Sequence, residues 1–288
     1  MRITNLMIQM NLTSGLRGRM AAIAKAASQA GSGLRISTVS DDPEGASQVM
    51  QLQSEIAQIE QYRRNGTFAT TQLSTEDAAL SSLRDAISTA KQLAMSTTSP
   101  DPNDPTRTAA LAQVKQLKDQ IVALGNTRVG DQYIFAGDAS TTPPFQSDGT
   151  YVGSSASQAV TINAGVSLTV NSPGQPLFTN ALTSIDNLIT QLQSGTPDQI
   201  AASTTSLDAA SQTALETQTE VGARLQDLQT TSNTLAAQNA SLLDRRDAIM
   251  NVDPAQSAIA LQQQQTALEQ AYAVVGRVLQ YSLTDFLK

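Results

Sequence analysis

Seven apolar residues stand seven positions apart within the proline-free stretch 198–253: Leu207, Ala214, Val221, Leu228, Leu235, Leu242 and Ile249. On an α-helix, at 1.5 Å per residue, that row runs about 63 Å. The positions beside it are mostly polar (Thr217, Arg224, Thr231, Gln238, Arg245), so the apolar stripe is narrow. A narrow sevenfold stripe buries against another helix and not in the middle of a globule. A second row, Ile59, Gly66, Leu73, Leu80, Ile87 and Ala94, keeps the same period, with Ala69, Leu83 and Ala90 beside it. Leu111, Val114, Leu117, Ile121 and Leu124 make a third stripe.

Prolines cut these stripes into helices. Four of the ten follow a residue able to cap a helix: Asp42-Pro43, Asp104-Pro105, Thr196-Pro197 and Asp253-Pro254. Each pair supplies a side-chain acceptor and a preset φ at the first helical position, predicting helix starts near 43, 105, 197 and 254. The loop 99–105 turns the chain back between two of them. Residues 131–180 differ in kind, with four prolines and the aromatics Tyr133, Phe135, Phe145, Tyr151 and Phe178. There Val160–Ile162 and Val166–Val170 alternate as strands across Asn163-Ala164-Gly165, a hairpin signal. The aromatics read as the core of this small β insert.

Both ends are also helical in pattern. Ile3, Leu6, Met7, Met10, Met20 and Ile23 recur near helical spacing. Leu261, Leu268 and Val275 repeat every seven residues, interleaved with a second row of Tyr272, Leu279 and Phe286. The order helix, helices, insert, helices, helix is a mirror that brings the termini together. The expected fold is mainly α: a long antiparallel helical rod with coiled-coil-like seams, paired terminal helices and a small β insert at the distal end. The expected parts are paired terminal helices at 1–42 and 251–288, a helical rod domain at 43–130 and 179–250, and a solvent-facing insert at 131–178.

Composition closes off most chemistry. There is no His, Cys or Trp, which removes thiolate nucleophiles, imidazole bases, Ser-His-Asp triads and thiolate–imidazole zinc sites. Residues 1–40 carry Arg2, Arg17, Arg19, Lys25 and Arg35 with no acid, whereas 129–223 carry eight acids and no Lys or Arg. The basic start lacks the dense clustering of a nucleic-acid arm, and the acidic middle repels nucleic acid. No apolar run reaches 18 residues, and the start lacks the apolar core of a secretory signal. Asp41, Asp42 and Glu44 form the tightest carboxylate cluster. They could hold a divalent cation, but the simpler reading is a cap on the helix starting at Pro43. Gly31-Ser32-Gly33 lacks the rest of a phosphate loop and reads as a break after the first helix. The first helix has some interfacial character, but its apolar face is rich in Ala and lacks Trp and Phe. No catalytic residue, cofactor or metal is assigned, and no membrane insertion is expected.

At this point the residues match a family. SGLRISTVSDDPEGA (32–46) resembles the block after the first helix in the bacterial flagellin family of flagellins and hook-associated proteins. NVDPAQSAIALQQQQTALEQAYAVVGRVLQYSLTDFLK (251–288) resembles its C-terminal helix. GNTRVGDQYIFAG (125–137), PPFQSDGTYVG (143–153) and the SLTDFLK ending are similar to the junction branch of that family. The resemblance implies terminal helices paired in an inner tube, longer helices in an outer shell and an insert facing solvent. The residues named at the two ends, from Ile3 to Ile23 and from Leu261 to Phe286, would form the assembly interface.

By the same resemblance, the chain would be a non-enzymatic adaptor at the hook–filament junction of the flagellum. It would be exported unfolded through a type III channel without a cleavable signal. Its partners would be hook-associated protein 1, flagellin, further copies of itself in a ring, and an export chaperone on the C-terminal segment. The alternative within the family is flagellin, the filament subunit itself. The alternative outside it is a soluble coiled-coil signalling or enzyme-associated module.

Overall fold

A computed structural model of the chain describes the path of residues 2–286, and the side chains of Met7 and of residues 10–277. The described residues are mainly helical. In chain order they form α1 (Arg2–Ser32), α2 (Pro43–Ser96), α3 (Pro105–Gly125), two hairpins, α4 (Gly174–Ser194), α5 (Pro197–Met250) and α6 (Pro254–Phe286). The first hairpin is β1 (Arg128–Val129) with β2 (Gln132–Tyr133); the second is β3 (Ala159–Asn163) with β4 (Val166–Thr169).

All four proline-marked helices begin at the proline itself. The caps are the expected ones. Asp42 Oδ1 accepts from the Gly45 amide at 2.9 Å, Asp104 Oδ1 from the Thr106 amide at 2.8 Å, and Asp253 Oδ1 from the Ala255 amide at 2.8 Å. At α5 the bonding is reciprocal. The Thr196 amide donates to Gln199 Oε1 at 2.8 Å, and the Gln199 amide donates to Thr196 Oγ1 at 3.3 Å. That is a capping box, which satisfies two amides left free at a helix start.

The chain divides into two compact units, one of Ile59–Ala237 and one of Met1–Gln58 with Gln238–Lys288. In the first, α2 and α5 run antiparallel. Lys91 pairs with Asp208 at 2.7 Å, Arg84 Nη1 donates to Gln218 Oε1 at 3.0 Å, and Gln218 Nε2 donates to Asp77 Oδ1 at 3.0 Å. Between these polar rungs both sevenfold stripes are buried: Leu73, Leu80, Ile87 and Ala94 on α2, and Leu207, Ala214, Val221 and Leu228 on α5. Each leucine so buried contributes ~1.5–3 kcal/mol relative to exposure. The α5 row holds through Leu235, while Leu242 and Ile249 are only half-buried.

Helix α3 packs on α4 through Val114 and Ile121 on one side and Ile185 and Leu188 on the other, with Lys118 pairing Asp186 at 2.7 Å. Arg107, on the first turn of α3, is fully buried. Its Nε donates to the Leu192 carbonyl at 2.7 Å, and its Nη2 donates to the carbonyls of Gln191 and Gly195 at 2.7 Å each. A guanidinium fork thus occupies the carbonyl-rich end of α4, where a cation is favoured.

The insert's core is aromatic, as its composition suggests. Phe135 and Phe178 meet edge-on with centroids 4.6 Å apart, and Phe145 lies 5.0 Å from Tyr151 and 5.6 Å from Phe178. Asn126 ties the pieces together: its amide nitrogen donates to the Phe145 carbonyl and its oxygen accepts from the Phe145 amide, both at 2.9 Å. A Cβ on Gly125 would stand 2.6 Å from the Phe145 ring. Gly137 has φ of 68° and would press any Cβ onto the Ser154 carbonyl. These contacts bring GNTRVGDQYIFAG and the PPF segment together. Two elements straddle the expected limits of the insert. The first hairpin starts at Arg128, and Phe178 lies on α4, which begins at Gly174.

Candidate assembly interface

In the unit made by the two chain ends, α1 and α6 pack along each other. The connections beside them hold the pair together. Leu34 and Asn251 form an antiparallel bridge, the Arg35 amide donates to the Met250 carbonyl at 2.6 Å, and the Val252 amide donates to the Gly33 carbonyl at 2.9 Å. The Arg35 guanidinium reaches the Ile249 carbonyl through Nε at 3.1 Å and Nη2 at 2.9 Å. It therefore sits at the carbonyl end of α5 while its Nη1 bonds Asp42 Oδ2 at 2.9 Å. Gly33, with φ of 71°, ends α1 as the Gly-Ser-Gly break predicts.

The carboxylate cluster is engaged in this crossing. Asp41 Oδ2 accepts from the amides of Ser37 and Thr38 and from both their hydroxyls at 2.9–3.2 Å, and Oδ1 meets Lys25 Nζ at 3.0 Å. Lys25, then the Thr38 amide, then Ser37 hold its carboxyl well below the usual carboxylate range. The Gly45 amide first, and Arg35 second, lower Asp42 as well. On the first turn of α2, a Cβ on Gly45 would lie 2.6 Å from both Asp42 Oδ2 and Ile36 Cδ1, so any other residue would displace these two side chains. The cluster's oxygens thus serve a loop that fixes where α1 leaves and α6 begins.

From there the two helices run antiparallel, with 11–19 opposite 267–275. A shallow groove of about 330 Å³ between them is walled by Leu12, Leu16, Ala271 and Val275 among others. Of the residues singled out in the sequence, Ile23, Leu261, Leu268 and Val275 are half-buried. Met7, Met10, Met20 and Tyr272 stand out into solvent, Met10 at 63% exposure and Tyr272 at 50%. Ile259 and Val274, not singled out, are exposed at 56% each. The side chains of Ile3, Leu6, Leu279 and Phe286 lie outside the described residues. Leu12 and Leu16, outside the rows named above, also line the groove; their spacing of four, continued by Met20, is the signal that marks them. Ala267 and Ala271 carry no such signal, because alanine looks alike on either face of a helix.

An apolar face of this kind, on two helices packed along each other, is suited to cover by other helices. Comparison with known proteins points the same way. The bacterial flagellin N-terminal helical region matches residues 3–140. The chain is 28% identical to flagellar hook-associated protein 3 of Escherichia coli, over 93% of this chain and 94% of that one. It is 32% identical to flagellar hook-associated protein 3 of Salmonella typhimurium, over 64% of this chain and 58% of that one. A solved flagellar hook-associated protein from Vibrio parahaemolyticus shares the fold, with a TM-score of 0.68 at 22% identity, covering 73% of this chain and 100% of that one.

Proposed function

We propose, on the premise that this chain belongs to the bacterial flagellin family, that it is a structural adaptor joining the flagellar hook to the flagellin filament. The observation that carries this reading is the α1–α6 pair, which leaves Met7, Met10, Met20, Ile259, Tyr272 and Val274 exposed along one small unit. Isolated large apolar side chains are ordinary on protein surfaces; a run of them on two adjoining helices marks an interaction face. In this proposal the terminal helices (1–42 and 251–288) are the assembly domain. The helical part (43–130 and 179–250) carries the subunit's own stability, and the insert (131–178) faces solvent. The interface comprises Ile3, Leu6, Met7, Met10, Met20, Ile23, Leu261, Leu268, Tyr272, Val275, Leu279 and Phe286.

The partners proposed are hook-associated protein 1 on the hook side, flagellin on the filament side and further copies of the chain in a ring. A flagellar export chaperone would cover the C-terminal segment until secretion, since the face that assembles is the face that aggregates when left open. Export without a cleavable signal, to a location outside the cell at the junction, completes the reading, and the chain has no catalytic part in it. The filament subunit is the competing role within the family. Both curated relatives named above carry the hook-associated name, which favours the junction.

Abundance separates the two roles. In detached flagella quantified by mass spectrometry, the chain should be present in far fewer copies than flagellin, at a number fixed per flagellum whatever the filament length. Copy number rising in proportion to filament length would identify it as a filament subunit instead.

A further inference from the structure

A buried acid lies on α2, within the unit Ile59–Ala237. Glu76, on α2, is 0% exposed, and neither carboxylate oxygen makes a hydrogen bond of normal geometry. One turn earlier, Gln72 Oε1 is buried and likewise unpartnered, as is Arg224 Nη1 across the seam on α5. Leaving a buried carboxylate charged and unpaired is among the costliest arrangements a folded protein can hold. The same carboxyl carrying a proton is a neutral group of modest cost. The groups facing it are few. From its own helix Asp77 opposes the charged form. From α5 Arg224 favours it, but that guanidinium is already engaged with Glu220 at 3.3 Å. From the segment between β4 and α4, the Ser172 hydroxyl and amide favour the charged form.

We propose that Glu76 is a proton-linked lock: its neutral form holds α2 against α5 and the segment entering α4, and release of its proton to solvent weakens that packing. The balance of the surrounding groups supports this. Burial outweighs Ser172 and Arg224, and the carboxyl is pushed up from 4.5 to about 7. The sign follows from which state holds the proton. Below pH 4.5 both folded and unfolded chains hold it, and the contribution to stability is complete. Between 4.5 and about 7 the unfolded chain has released it and the folded chain has not, so stability falls as pH rises. Above about 7 both are ionised and the contribution is gone. The folding equilibrium constant should therefore drop about 300-fold across this window on account of this one group.

The test uses the full chain labelled with ¹³C at the glutamate carboxyls. Glu76 is assigned by the signal missing from Glu76→Gln, and both proteins are unfolded in urea from pH 4 to pH 9. A glutamate signal titrating near 7 is expected for Glu76. The unfolding midpoint of the wild type should fall through the window relative to that of Glu76→Gln. The labelled wild type decides the matter even if the variant does not fold, because Glu76 is the one glutamate buried among the described residues. No carboxyl signal titrating above about 6, or wild-type and variant midpoints that track each other, would overturn the proposal.

Discussion

Replacing Leu268 by Asp should abolish filament attachment while leaving residues 59–237 folded. Leu268 is half-buried on α6, in the sevenfold row with Leu261 and Val275, beside the groove it shares with α1. In the proposed assembly the rest of its surface is covered by neighbouring subunits. A leucine contributes ~1.5–3 kcal/mol when fully buried. An aspartate in its place loses that and adds the desolvation of an unpaired charge, several kcal/mol more. The penalty recurs at every subunit of a ring, so the effect on assembly is all or none. The unit 59–237 has its own core, built from α2, α3, α4, α5 and the insert, and Leu268 is no part of it. Motility on soft agar and circular dichroism of the purified variant read the two halves of this prediction. A Leu268→Asp strain that swims normally would show that the seam lies elsewhere.

Arg107→Leu should be the most damaging single change within 59–237. The leucine fits a buried site but removes the donor that serves the carbonyls of Leu192 and Gly195 at 2.7 Å each, while the Gln191 carbonyl keeps the Gly195 amide at 2.8 Å. Orphaned buried acceptors cost ~1–3 kcal/mol apiece and do not add fully, giving a net loss of ~2–4 kcal/mol. With m of ~2–3 kcal/mol/M in urea, the midpoint should fall by ~1–2 M. Arg107→Lys should recover only part of this, because an ammonium is a point donor and cannot span three carbonyls as the planar fork does. A midpoint unchanged in Arg107→Leu would mean that water replaces the guanidinium without loss.

Local chemistry explains which features could be read from the chain. Asp42, Asp104, Thr196 and Asp253 each precede a proline, so cap and first turn are encoded in two adjacent residues, and all four helices begin there. The sevenfold rows from Leu73 to Ala94 and from Leu207 to Leu228 were legible because large side chains alternate with polar ones over several turns. Arg107 was not, since its burial depends on the end of α4, some 85 residues away in the chain. Glu76 sits in the polar run 74–77, and the groups that face it, Ser172 before α4 and Arg224 on α5, lie far away in the chain. The first hairpin is too short for alternation to register, with two residues in each strand.

At the candidate interface the same logic divides the residues. Met7, Met10 and Met20 recur near helical spacing, yet they stand exposed on the α1–α6 pair. Leu12, Leu16 and the alanines of α6 line the groove between the helices. A sequence shows that a helix has an apolar face, but which part meets its own chain and which awaits another depends on how the pair is rotated. At the crossing near Arg35, side-chain and backbone bonds to Ile249 and Met250 tie the two ends of the chain to each other.

Location tests the central claim most directly. Immunogold labelling of detached flagella, with antibody raised against the insert, should place gold at the boundary between hook and filament and nowhere else. Gold distributed along the filament would contradict the adaptor role and assign the chain to the filament.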